Sequence, residues 1–492
     1  MKLMFAASLL MFAAPAPAAD RASIIKEFSE LLAIPNVATN ARDIRRNADH
    51  LLAMMAKRGL QPRLLEGVSA DVPPAIYGEW QVPGANRTLV LYAHYDGQPV
   101  TAEDWKSTNP FVPKLYSDRL DLGGKPLAFP KAGQPVSASW RIYARGSSDD
   151  KLGVMAILTA VDALKAAGKR PSFNLKIFFE GEEEAGSTHL AALLDQHRET
   201  LKSDGWVIFD GPAHPSGRPQ VVLGVRGVVG MDLTVYGPLR PLHSGHYGNW
   251  APNPAMMLAQ LLASMKDDDG KVLVAGWYDD VAPLSKADRE AIAAIPVPDA
   301  ALRRELGLAR SEEQGRLLAE AIQLPSLNVG GIRSADVGEK ARNVVPSTAS
   351  AYLDLRLVKG NDHRRQVAKL IRHIESKGYR VLDHEPTMEE RLRYPRIAQL
   401  NSGLVYNAER TNIDSSLAHS VVAAAKGYGP TVILPSLGGS LPLYLLRERL
   451  GVDSVTLSTA NYDNNQHAED ENVRLSNLWL AIGIATAVLQ MK

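Results

Sequence analysis

A chain of 492 residues with 45% apolar and 22% charged side chains is long enough for two packed domains and has the composition of a globular protein. Its formal net charge of +1 removes any broad electrostatic case for nucleic acid or an anionic membrane as partner. It has no cysteine, which excludes disulfides and thiolate metal sites and leaves His and carboxylates as metal ligands.

The chain opens with Lys2, an apolar stretch from Leu3 to Ala14, and the small-residue run Ala16-Pro17-Ala18-Ala19. That pattern predicts a secretory signal over residues 1–19 and a periplasmic or secreted mature protein. The stretch is too short to span a membrane, which takes ~20 apolar residues. Residues 24–58 read as helical, with a pause at Ile34-Pro35-Asn36. From Leu89 to Phe209, strand-like runs alternate with helices; Lys151 to Ala167 is a helix closed by Gly168 and Pro171. Such alternation predicts an α/β domain with a mostly parallel sheet flanked by helices.

After about Val225 the pattern changes. Gly230–Tyr236 and Ala349–Leu357 alternate apolar and polar residues, as antiparallel strands with one wet face do. Helices over 254–264 and 363–377 would cover the other face, giving an inserted α+β domain. Residues 267–323 are charged and helix-prone, broken by Pro296 and Pro298, and carry no catalytic signal. From about Ile397 the α/β character returns, with a helix over 414–425 and a strand at Thr431–Leu434. The predicted organisation is a signal at 1–19, a catalytic domain from 20–225 and 396–492, and an inserted lid or dimerisation domain at 226–395.

Five apolar runs place metal-type side chains just beyond their ends. Leu89–Tyr92 leads to His94 and Asp96, Trp140–Tyr143 to Asp149 and Asp150, and Leu175–Phe179 to Glu182, Glu183 and Glu184. Trp206–Phe209 leads to Asp210, and Val455–Leu457, after a loop, to His467. In open α/β sheets, ligands bind beyond the carboxyl ends of strands. Taken singly, each residue has an ordinary role: Asp at a helix start is usually an N-cap, and an acidic triplet is usually a solvated face. Together they predict a metal site. Residues i and i+2 of an extended exit face the same way, so Asp96 can accept from the ring of His94 and fix its tautomer. Adjacent carboxylates in 182–184 repel, and a cation would relieve that; one could bind metal while its neighbour acts as a base.

The segments His94-x-Asp96, Arg145–Lys151, Glu180–Ser187, Leu242-His243-Ser244-Gly245, Asn343–Pro346 and Gly438–Pro442 occur in this order. In them the chain resembles the two-metal peptidase family of carnosine dipeptidases, carboxypeptidase G, aminoacylases and desuccinylases. The likeness spans nearly the whole mature chain and is nearest the carnosine-dipeptidase-like branch. The resemblance implies hydrolysis of the amide bond of dipeptides or C-terminal residues, with N-acyl amino acid hydrolysis as the alternative, and a non-catalytic binding protein on the same fold further off. It implies two divalent ions per subunit, zinc first, with manganese or cobalt also suited. Asp149 would bridge them, His94 and Asp210 would complete one site, and Glu184 and His467 the other. Glu183 would be the general base and Asp96 would orient His94, with a cis peptide at Asp149-Asp150. His243 would act in the partner subunit of a homodimer, with Asn343 as a substrate-binding residue lining the same pocket, and Arg356 and Ser440 would bind the free carboxylate of a small peptide. The extra acid Glu182 leaves the base assignment open by one position, and the surroundings of His467 match more loosely than the rest.

Overall fold

The computed structural model describes residues 20–492 apart from 70, 106, 297, 298 and 313–315. The predicted signal, residues 1–19, lies outside them. Two compact units account for the chain. The first comprises the chain up to Leu223, Thr411–Leu434 and Leu445–Lys492; the second comprises Gly224–Arg410 and Pro435–Tyr444.

The first unit is built on an eight-stranded sheet in the order Arg63–Leu65, Ala75–Trp80, Asn174–Glu180, Thr88–His94, Gly205–Phe209, Ser454–Ser458, Gln220–Val222, Val432–Leu434. Its central strands, Asn174–Glu180, Thr88–His94, Gly205–Phe209 and Ser454–Ser458, run parallel. They are buried on both faces because Leu89, Val90, Leu91, Ile177, Phe179, Val207 and Phe209 leave no polar side to the pleat. Each such side chain contributes about 1.5–3 kcal/mol on burial. The helix Lys151–Ala166 is apolar nearly all round, from Leu152 to Val161, and packs between this sheet and the equally apolar helix Leu475–Val488.

One of the five runs does not join this sheet. Arg141–Tyr143 pairs instead with Asn472–Arg474 and Lys114–Tyr116, in a separate antiparallel sheet of four strands that Pro126–Leu127 completes. A three-residue apolar run carries no information about its partners, so sequence alone could not separate the two sheets.

The second unit holds a five-stranded sheet in the order Ser326–Arg333, Thr348–Leu357, Gly227–Tyr236, Ile397–Tyr406, Arg380–Leu382, antiparallel except for the last pair. The period-2 reading is visible in Thr348–Leu357, where Ala349, Ala351, Leu353, Leu355 and Leu357 are buried and their neighbours face out. The helices Pro254–Ala263 and His363–Ser376 pack on the sheet as expected. The segment from Ile397 departs from the expectation of returning α/β character: residues 397–406 form a further strand, in register with Gly227–Tyr236. The excursion over 267–323 contains short helices at Lys286–Ala293, Asp299–Glu305 and Leu318–Ala321, and Val272, Val274 and Trp277 anchor it in the core. Among the described residues no helix is long and apolar enough to cross a membrane.

Candidate metal centre

The centre lies beyond the carboxyl ends of the parallel strands of the first unit. Thr88–His94 ends with its last side chain fully buried, and Gly205–Phe209 delivers Asp210 directly. The loop 144–150 brings Asp149 in through two local devices. Gly146 takes φ +76, and a Cβ there would sit 2.8 Å from Asn36 Nδ2. Asp150 caps the helix that follows, accepting from the backbone N–H of Gly153 at 3.3 Å and of His94 at 3.2 Å. Of the two acids, Asp150 is therefore the cap and Asp149 faces the cluster. The peptide between them is cis.

Asp149 is the hub. His94 Nε2 lies 3.1 Å from its Oδ1, and His467 Nε2 lies 3.0 Å from its Oδ2. Two groups share it: His94, Asp149 and Asp210, and Asp149, Glu184 and His467, each with ligand-type atoms within 4.8 Å of one another. Asp96 Oδ1 stands 3.3 Å from His94 Nδ1, while its Oδ2 accepts from the N–H of Glu184 at 2.9 Å.

The acidic triplet is sorted by its contacts. Glu182 pairs with His189 at 2.7 Å and also accepts the His189 N–H at 2.9 Å. Glu183 Oε2 lies 4.0 Å from His94 Nε2. Glu184 Oε2 lies 3.4 Å from His467 Nε2 and accepts from Gln98 at 2.8 Å.

The electrostatics fit a cation. No Lys or Arg pairs with Asp96, Asp149, Glu183, Glu184 or Asp210 among the described residues. Burial, then the neighbouring charge of Asp149, pushes Glu184 up to about 8 and Asp210 up to about 6. Glu183 is also raised well above its ordinary value, chiefly by burial. Burial alone would raise Asp149 too, but hydrogen bonds to His467 and His94 hold it low. Such a surplus of buried carboxylates facing two imidazoles suits divalent ions that prefer oxygen and nitrogen donors.

Some residues of the centre carry no sequence signal. Gln98 and Gln466 donate to Glu184 and Asp149. Glu471, fully buried, accepts from the loop that bears Asp149. Glu180, bonded by the Tyr92 hydroxyl at 2.8 Å, is pushed up to about 7 by burial.

The remaining predicted site residues lie in the second unit. Leu242-His243 pairs with Val344-Val345, which sets His243 beside Asn343; the carbonyl of Asn343 accepts from the N–H of Ser244 at 3.0 Å. Both residues are exposed, and His243 Nδ1 accepts from the N–H of Gly245. Arg356 donates to Ser440 Oγ at 3.0 Å and to Asp354 at 3.2 Å. Arg226, which no pattern singled out, is buried near Arg356. Its guanidinium is lowered to about 10 by burial and then by that neighbouring charge.

The profile of Peptidase family M20/M25/M40 matches residues 90–491. The chain belongs to this family. Among its relatives, the "Cys-Gly metallodipeptidase DUG1" of Candida albicans is 27% identical over 428 residues, 85% of this chain and 81% of that one. The human "Beta-Ala-His dipeptidase" is 28% identical over 328 residues, 66% of this chain and 60% of that one. In structure, the M20 family metallo-carboxypeptidase Sso-CP2 from Sulfolobus solfataricus superposes with a TM-score of 0.76 at 28% identity, covering 95% of this chain and 98% of that one.

These matches uphold the likeness to the carnosine-dipeptidase-like branch, and the M20 chain is a metallopeptidase. The family binds dinuclear metal. The matches also correct one expectation. The match to the fungal Cys-Gly metallodipeptidases overturns the periplasmic or secreted location drawn from the first residues. An apolar run followed by small residues is a compositional pattern, and it says nothing of the enzyme family behind it.

Proposed function

We propose that this M20 peptidase hydrolyses dipeptides, or removes C-terminal residues, at a site that holds two divalent ions. The observation that carries the reading is the sharing of Asp149 between two sets of ligand-type atoms. His94, Asp149 and Asp210 would hold one ion, and Asp149, Glu184 and His467 the other; zinc suits this donor set first, with manganese and cobalt close behind. When bound, the ions supply positive charge and Lewis acidity to the scissile carbonyl and the attacking water.

The chain's own residues do the rest. Asp96 holds the ring of His94 with Nε2 toward Asp149. Glu183 is the base: it takes a proton as water attacks the carbonyl carbon, and gives it to the amine nitrogen as the C–N bond breaks. The raised pKa of Glu183 suits a group that must hold that proton between the two steps. Glu182 is set aside from this work by its pairing with His189. The first unit is then the catalytic domain, and the second the lid and dimerisation domain. His243 of the partner subunit would stabilise the oxyanion, with Asn343 beside it. Arg356 and Ser440 would grip the substrate carboxylate; a planar guanidinium suits that task.

Three measurements test this. Glu183→Gln should lower kcat by about 10²–10⁴-fold on a Cys-Gly or β-Ala-His substrate while retaining the native metal content. Retained turnover would overturn the base assignment. Mixed dimers of Glu183→Gln and His243→Ala chains should regain activity that neither has alone; no recovery would remove the role across subunits. A parallel panel of N-acyl amino acids, if hydrolysed faster than every dipeptide, would replace dipeptidase by amidohydrolase.

A further inference from the structure

We propose that Glu471 is a positioning residue that holds Asp149 in place for both metal sites at once. The inference rests on the metal reading above. Glu471 is fully buried, yet its two carboxylate oxygens accept from donors spread along one loop. Oε2 accepts from Arg145 Nη1 at 2.8 Å and the Gly146 N–H at 2.9 Å. Oε1 accepts from the Ser148 N–H and hydroxyl, both at 2.9 Å, and from the Asp149 N–H at 3.1 Å. Backbone bonds reinforce the clamp, since Ala144 N–H donates to the Glu471 carbonyl at 3.0 Å.

The same residue lies four places beyond His467. Next to it, Asn472 holds the His467 loop closed. Its N–H and side-chain amide both donate to the Asn464 carbonyl, at 2.8 and 3.3 Å. One carboxylate therefore fastens the segment bearing His467 to the segment bearing Asp149. Because Asp149 belongs to both ligand groups, loosening this clamp disturbs both sites, whereas loss of His467 disturbs one.

Every donor around Glu471 is an N–H or an O–H. An amide in its place would turn its own N–H₂ toward one set of donors, so Glu471→Gln breaks the clamp at nearly constant volume. Partners behind metal ligands typically change metal affinity by about 10–100-fold when altered.

The test is a Co²⁺ titration of the full chain after chelator treatment, followed by visible absorption and by bound-metal stoichiometry. Glu471→Gln should weaken both binding steps by about 10–100-fold and alter the Co²⁺ absorption bands. His467→Ala should weaken mainly one step. Arg58→Gln, which removes the part-buried ion pairs of Arg58 with Glu27 and Asp162 elsewhere in the unit, should lower the melting temperature and leave Co²⁺ binding alone. Unchanged affinity and spectrum in Glu471→Gln would overturn the proposal, whatever its melting temperature. If that variant does not fold, Ser148→Ala carries the test: it removes one donor and should weaken both steps by a few fold, and native-like Co²⁺ binding would overturn the proposal. If the unaltered chain binds no Co²⁺, Zn²⁺ or Mn²⁺, the metal reading itself fails, and this inference with it.

Discussion

The candidate site residues are mostly buried in the first unit, His467 excepted, and mostly exposed in the second. In the first, His94, Asp96, Asp149 and Asp210 are nearly or wholly removed from solvent. Asp149 lies 3.1 Å from His94 and 3.0 Å from His467, and Asp96 lies 3.3 Å from His94. In the second, His243 and Asn343 stand exposed on a two-residue ladder, and Arg356 is part-exposed, held by Ser440 and Asp354. A buried charge cluster needs compensation to exist at all, whereas an exposed His or Arg can change with little cost to the fold. The first unit therefore ties chemistry to stability, and the second keeps them apart.

The largest effect expected from this contrast is at Asp149. Asp149→Asn should reduce activity on the order of 10³-fold or more and empty both metal positions, as bound-metal analysis would report. One ion retained at native affinity would break the idea of a shared ligand. His243→Ala should come next, lowering kcat by about 10²–10³-fold with metal content and melting temperature unchanged. A shifted melting temperature would blur the contrast between the units. Arg356→Lys should act mainly on KM, by about 10–100-fold, because one ammonium cannot reproduce a forked grip; a fall in kcat alone would argue against carboxylate recognition.

The smallest effect is in pH dependence. Glu184 and Asp210, at about 8 and about 6, titrate above their ordinary values when the chain is folded. A carboxyl raised on folding binds its proton more tightly in the native state. Its contribution is complete below the unfolded pKa, and it is lost as pH rises through the folded one. Asp149 has the opposite sign and is lost only in acid. The chelator-treated chain should therefore melt several degrees lower at pH 8.5 than at pH 5.5, and added Zn²⁺ should erase the difference. A melting temperature that rises with pH without metal would contradict the assigned burial.

The sequence carried the strands, the long helices and the principal side chains of the centre, because apolar periodicity and acidic or imidazole residues at strand exits are local signals. It did not carry the small four-stranded sheet, whose three-residue strands are shorter than any period. Nor did it show that residues 397–406 stay with the second sheet, since an apolar-polar strand reads alike in either unit. The roles of Glu182, Glu183 and Glu184 are adjacent in sequence, and His189 is what separates Glu182 from the others. Glu471 was invisible because it sits in an ordinary acidic run, Glu469-Asp470-Glu471, and its partners are more than three hundred residues away. Apolar residues 3–14 gave a pattern without a context, and the family supplied the context.

The span between His94 and His467 also sets an order of events in the cell. At ~5–20 residues per second, tens of seconds separate the emergence of the first imidazole from that of the last. Once Asp210 has emerged, a ribosome-bound chain carries His94, Asp149, Glu184 and Asp210 without Glu471 or His467 to close the cluster. The candidate cluster becomes complete only when the strands Ser454–Ser458 and Asn472–Arg474, which flank the His467 loop, have docked. A premature stop before His467 would leave a chain nearly full in length that lacks both His467 and Glu471.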